Sequence, residues 1–118
     1  MTQPASHMDM FKLEAMIHEL SGSTKAEVVE EMVAAAAAGG VLPKARRQQA
    51  LEALMSRENR GSTGLGKGIA IPHAKLEGLR KHAGVVARSS EGVDFKAVDG
   101  EPVHVLVMLI SPESRPDE

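Results

Sequence analysis

The stretch from Val103 to Ile110 is apolar at every position except His104. Side chains alternate between the two sides of a sheet, so a half-exposed strand alternates in polarity, whereas an unbroken apolar run marks a strand buried on both faces. The run therefore reads as a central strand with helices on each side. Two shorter runs, Ile69-Ala70-Ile71 closed by Pro72 and Gly84 to Ala87, are bounded by turn residues and read as further strands. Asp99-Gly100 marks a turn that joins Val93 to Val98 to the last strand. Ile17 to Leu20 is a fourth candidate, although the preceding Leu13-Glu14-Ala15-Met16 fits a helix equally well.

Upstream of these runs the period is helical. Thr24-Lys25-Ala26-Glu27 fits a capping box, and Val28, Val29, Met32, Val33 and Ala36 follow on one helical face. This predicts a helix over residues 25–38, ended by Gly39-Gly40, where glycine accepts the left-handed conformation past a helix C-terminus. Pro43 suits a first helical turn, and Ala50, Leu51, Leu54 and Met55 form the buried stripe of a second helix running to about Glu58. The two helices are expected to form a hairpin packed on the strands, an α/β sandwich. A length of 118 residues suits one domain.

Composition narrows the function. With two Phe, no Trp and no Tyr, the core must be aliphatic, built from Val, Leu, Ile, Ala and the seven Met. The same poverty removes the base-stacking platforms used on single strands, so nucleic acid is not an expected partner. The absence of Cys excludes disulfides, thiolate metal sites and cysteine nucleophiles. No apolar run approaches the roughly 18 residues of a membrane helix, and no basic flank precedes an apolar stretch at the N-terminus, so a cytoplasmic protein without membrane insertion is expected. Residues 1–8, containing Ser6-His7-Met8, read as a flexible leader or tag remnant, and residues 9–118 as the domain. The net charge of −2 hides an asymmetry: Lys44 to Arg88 holds ten Lys or Arg against Glu52, Glu58 and Glu77, a basic centre suited to phosphate-bearing partners or simply to water.

The chemistry concentrates between Arg57 and His73. Gly61, Gly64, Gly66 and Gly68 fall within eight residues, a density kept where a chain turns tightly or approaches something closely, and their amides could cup an anion. Gly61 to Lys67 nearly spells a Walker A loop, but Gly68 stands where Ser or Thr must hold magnesium, and the helix-loop-strand order is the reverse of that motif. His73 follows an apolar strand and Pro72, which anchors its backbone; a neutral imidazole there is a competent nucleophile. Arg57, Ser62, Thr63 and the loop amides of Gly64 and Gly66 are donors suited to a phosphorylated ring. His7, His18, His82 and His104 read as structural or solvated, and no local pair has metal-ligand spacing.

Arg57-Glu58, Gly61-Ser62-Thr63-Gly64-Leu65-Gly66 and Gly68-Ile69-Ala70-Ile71-Pro72-His73 together resemble the signature of the fructose/mannitol-type and nitrogen-regulatory enzyme IIA domains of the bacterial phosphoenolpyruvate-dependent phosphotransferase system. Val93-Asp94-Phe95, Asp99-Gly100, Pro102-Val103 and Leu106 to Pro112 extend the resemblance from about residue 13 to the end. It implies a mixed β-sheet sandwiched by helices. It also implies that His73 accepts a phosphoryl group from phosphohistidine HPr, or its nitrogen-branch counterpart, on the ring nitrogen farther from the backbone, with Arg57 beside it. The group then passes to a IIB component in sugar uptake, or its presence regulates binding to another protein. Alignment and charge do most of the work in such a transfer, so no metal or bound nucleotide is required. In the family a second histidine and closing helices lie beyond the segment matching Ser111-Pro112-Glu113; this chain stops at Glu118, so its C-terminal part is expected to be missing, leaving an apolar sheet face open to self-association.

Overall fold

The computed structural model describes residues 11–79 and 81–112, with side chains from Met16 onward. The first strand, β1 (Phe11–Ile17), leads into helix α1 (Lys25–Ala38). The helix begins where the sequence places it. Thr24 accepts from the Glu27 amide, the Glu27 carboxylate accepts in return from the Thr24 amide, and the Thr24 cap contributes about 1 kcal/mol. The amide hydrogen bonds from Ser23 and Thr24 hold the Glu27 carboxyl below its ordinary range. Gly39 caps the other end in right-handed geometry and Gly40 turns left-handed, with φ 79°.

Pro43 introduces a short 3-10 turn, Lys44–Arg46, rather than the α-helix itself, and α2 runs from Arg47 to Asn59. Ala50 and Leu54 are fully buried, Leu51 and Met55 partly so, and the stripe continues one turn further to Glu58. The expected helical hairpin is present: α1 packs on α2, on β1 and on the strand Ala83–Val93, and α2 packs on the strand His73–Leu76.

Among the described residues six strands form one mixed sheet. They are β1, β2 (Gly64–Gly66), β3 (Ile69–Ala70), β4 (His73–Leu76), β5 (Ala83–Val93) and β6 (Val103–Pro112). The order is β1-β5-β6-β3-β2, and β4 also pairs with β6. β6 is central, as expected, with antiparallel β5 on one side and parallel β3 and β4 in succession on the other. Three expectations are corrected or extended. The Gly84 to Ala87 strand extends to Val93; the extended N-terminal segment is Phe11–Ile17, paired parallel with β5, rather than Ile17 to Leu20; and His73, which follows β3 after Ile71 and Pro72, itself opens a further strand, β4. Pro72 lacks an amide hydrogen and interrupts the ladder, yet its carbonyl accepts from the Leu109 amide at 2.9 Å, so the chain stays beside β6 and pairing resumes at His73. The leader expected at residues 1–8 lies outside the described residues.

Val85, Ala87, Leu106, Met108 and Ile110 join both helices in one buried core. On the opposite side of the same strands Val86, Val107 and Leu109 are half-buried, and Met16 and Val105 are 40% and 39% exposed. Among the described residues both helices therefore lie on one face of the sheet. An apolar run reports that both sides of a strand are apolar; it does not report which of them has a layer over it.

Candidate functional site

Strand β4 lies along the C-terminal half of β6, beside the last turns of α2, and a cavity of about 480 Å³ opens between them. It is lined by Ala53, Ser56, Arg57 and Arg60 from the helix side, His73, Ala74 and Lys75 from β4, and Ser111 from β6. Three cations and an imidazole face it, with no carboxylate among the lining residues. Such a cleft favours anions, because the described residues bring like charges together with no carboxylate between them.

His73 is exposed and its orientation is set locally. Nδ1 lies 2.9 Å from the Ile71 carbonyl oxygen. A carbonyl only accepts, so Nδ1 carries the proton and Nε2 is left with the lone pair in the neutral ring. The nitrogen farther from the backbone is thus the one with a free lone pair. Lys75, two residues along β4, shares the His73 side of the strand.

Arg57 and Arg60 are three residues apart at the end of α2, so they project on one face of its final turn, near the negative end of the helix dipole. Arg57 donates from one terminal nitrogen to the Gly61 carbonyl at 2.7 Å, which fixes the guanidinium while leaving further N–H groups for a ligand. Gly61 carries that carbonyl into position with a φ of 152°, a conformation L side chains rarely adopt.

The other expected phosphate-stabilising residues occupy different positions. The Ser62 hydroxyl donates to the Phe95 carbonyl and accepts from the Gly64 amide at 2.9 Å. Thr63 is buried; its hydroxyl and amide both donate to Glu58. Gly64 pairs with Ala70, and a Cβ there would lie 2.8 Å from the Cβ of Ala97, so only glycine permits this approach of the loop to the segment before β6. Gly66 pairs with Ile69 in the same short hairpin. The structure brings His73 and Arg57 to one cavity, whereas Ser62, Thr63, Gly64 and Gly66 shape the loop behind it and do not line it. The Gly64 amide, expected to cup an anion, already donates to Ser62 within the loop, and the neighbouring Thr63 amide donates to Glu58 of α2.

Sequence reasoning missed Arg60, Lys75, Ser56 and Ser111. Two signals were available: Arg60 is one helical step from Arg57, and Lys75 is one strand period from His73. Ser111 has no such signal, because its place follows from its pairing with Lys75 across two strands. His104 lies at the opposite end of β6, its Nδ1 donating to the Ser89 carbonyl at 2.8 Å. Among the described residues no group of three His, Asp or Glu could hold a metal ion, and no helix is long and apolar enough to cross a membrane.

A family model described as "Phosphoenolpyruvate-dependent sugar phosphotransferase system, EIIA 2" matches residues 9–117. The nitrogen regulatory protein of Bradyrhizobium diazoefficiens is 36% identical over 105 residues, covering 89% of this chain and 67% of its own length. The fructose-specific EIIABC component of Bacillus subtilis is 39% identical over 94 residues, covering 80% of this chain and 14% of its own length. The crystal structure of nitrogen regulatory protein IIA-Ntr from Neisseria meningitidis superposes with a TM-score of 0.81 at 31% identity, over 92% of this chain and 73% of that one. The chain therefore spans no more than about two thirds of these curated relatives.

Proposed function

Because the chain belongs to the EIIA 2 family of the phosphoenolpyruvate-dependent sugar phosphotransferase system, we propose that it is a histidine phosphocarrier in which His73 is the covalent acceptor. One observation carries this reading: the Nδ1 proton of His73 is engaged by the Ile71 carbonyl, which leaves Nε2 as the free nucleophile on a cavity bearing Arg57, Arg60 and Lys75.

In the proposed step the Nε2 lone pair attacks the phosphorus of phosphohistidine HPr or its nitrogen-branch counterpart. The P–N bond to the donor ring breaks, and the donor nitrogen keeps the electron pair. His73 becomes a phosphorylated imidazole that retains its Nδ1 proton, and the Ile71 carbonyl accepts from it more strongly as the ring gains positive character. Arg57 meets the charge on the equatorial oxygens, where positioned donors act at no cost of reorganisation. Ser62, Thr63, Gly64 and Gly66 assist by holding the loop that carries Gly61, and through it the Arg57 guanidinium. No metal or nucleotide enters this step. Onward transfer to a IIB component reverses the same chemistry.

The similarity to nitrogen regulatory proteins supports a second outcome for the same phosphohistidine, in which its presence governs binding to a regulatory protein. Incubation with phosphoenolpyruvate, enzyme I and HPr should place an acid-labile label on the wild type and none on His73→Ala. Label that persists without His73 would sink the assignment. Labelled protein that donates to no IIB, while a regulatory partner binds only one phosphorylation state, decides for regulation.

A further inference from the structure

Glu58 is a carboxylate in the core that the transfer step does not use. Its residue is 4% exposed, yet it is not isolated: Oε1 lies 3.0 Å from Lys25 Nζ at the start of α1, and that ammonium lies 5.2 Å from the centre of the buried Phe95 ring. Burial of a charged pair is costly and gives little net stability, so the arrangement calls for another reason. Both Glu58 oxygens accept from Thr63, one from its hydroxyl and one from its amide at 3.3 Å. The Thr63 carbonyl accepts from the Ile71 amide at 3.1 Å, and the Ile71 carbonyl accepts from His73 Nδ1 at 2.9 Å. Hydrogen bonds thus tie the buried ion pair to Thr63, the Thr63 carbonyl to the Ile71 amide, and the Ile71 carbonyl, in the next peptide, to the ring.

We propose that Glu58, held by Lys25, is a positioning residue that sets the tautomer of His73 by fixing Thr63 and hence the Ile71 carbonyl. The proposal deepens the phosphocarrier reading and rests on it for its consequence in transfer. The requirement is geometric. The Ile71–Pro72 peptide, which carries the acceptor carbonyl, lies in the gap between β3 and β4; the Thr63 carbonyl holds the Ile71 amide on one side of it and the Leu109 amide holds the Pro72 carbonyl on the other, so loss of the Thr63 contact frees the peptide to turn. If that peptide turns, Nδ1 loses its acceptor, the proton is free to move to Nε2, and the nucleophilic lone pair is lost.

The experiment reads the tautomer directly, from ring nitrogen chemical shifts of the 15N-labelled full chain at alkaline pH, where imidazole is neutral. The His73 signals are assigned by their loss in His73→Ala, and His104, whose Nδ1 rests on Ser89, serves as an internal control. The wild type should show His73 protonated at Nδ1. Thr63→Val and Glu58→Gln should each mix in the Nε2–H form and slow labelling about fivefold, the worth of one lost hydrogen bond, while Thr63→Ser restores both readings and His104 stays unchanged. A purely structural role lowers thermal stability without moving the tautomer, and that result in folded variants overturns the proposal. If Glu58→Gln fails to fold, Thr63→Val decides. Tautomer measurement needs no phosphoryl donor, so a wild type that takes no label defeats the phosphocarrier reading while Glu58 is still judged on the ring.

Discussion

At one end of β6 the Ile71 carbonyl holds Nδ1 of His73 at 2.9 Å, and at the other the Ser89 carbonyl holds Nδ1 of His104 at 2.8 Å. Both residues are exposed. Leu109, the partner of His73, is five residues beyond His104, about 17 Å along the strand. The two imidazoles therefore share a tautomer and access to water, and the contrast lies in their surroundings. His73 opens on a cavity with three cations, whereas His104 is packed by turn residues: a Cβ on Gly92 would approach it to 3.1 Å, and one on Gly68 to 3.8 Å. The Gly68 carbonyl accepts from the amides of His104 and Val105, and the preceding Lys67, at a left-handed φ of 58°, donates its amide to Asp99 at 2.9 Å. An imidazole nitrogen with a free lone pair is thus common to both ends; the cavity that gathers three cations around it lies at the His73 end.

That contrast can be broken by removing the cations one at a time. Beyond the loss of His73 itself, Arg57→Ala should have the largest effect, slowing phosphoryl labelling about a hundredfold, as expected when a preorganised donor to a charged transition state is removed. A stopped-flow or quench-flow labelling rate within a few-fold of wild type would refute that role. Arg60→Ala should cost less, about tenfold, because no carbonyl among the described residues holds its guanidinium as Gly61 holds that of Arg57. If the two arginines prove equal, fixation by Gly61 is not what distinguishes them.

At the other end, Asp99→Ala should change stability and leave labelling alone. Asp99 accepts from the Lys67 and Glu101 amides, and these hydrogen bonds, the Lys67 one first, hold its carboxyl below the ordinary aspartate range. A group with a depressed folded pKa contributes stability that is fully present above its unfolded pKa and is lost as pH falls through the folded value. The wild type should therefore melt above Asp99→Ala near neutrality, with the gap closing in acid; a gap independent of pH would exclude the carboxylate as its source. The smallest effect is expected from His104→Ala, which should label at the wild-type rate. A tenfold loss there would show that the two ends of the sheet are coupled.

How much of this was readable before folding depends on distance along the chain. Helix α1 was legible in place and approximate extent, because Thr24 and Glu27 satisfy one another within a single turn. His73 and Arg57 were legible as a pair through the motif. β2 and β4 were not, since a strand of three or four residues has too little pattern of its own and is made by its partner. The glycine loop misled for the same reason. Its amides look free in sequence, but the hydroxyl that takes the Gly64 amide is itself held by Phe95, 33 residues away.

The order of residues was enough to determine the helical hairpin and the centrality of β6, and to single out His73 as the proposed nucleophile, because each reading rests on periodicity or on neighbours a few positions apart. Folding alone decided that Glu58 is buried against Lys25 and Thr63, that Arg60 and Lys75 meet His73 at one cavity, and that both described helices cover the same side of the sheet. Burial, ion pairing and hydrogen-bond satisfaction are properties of what approaches a residue through space, and a linear pattern carries no record of that.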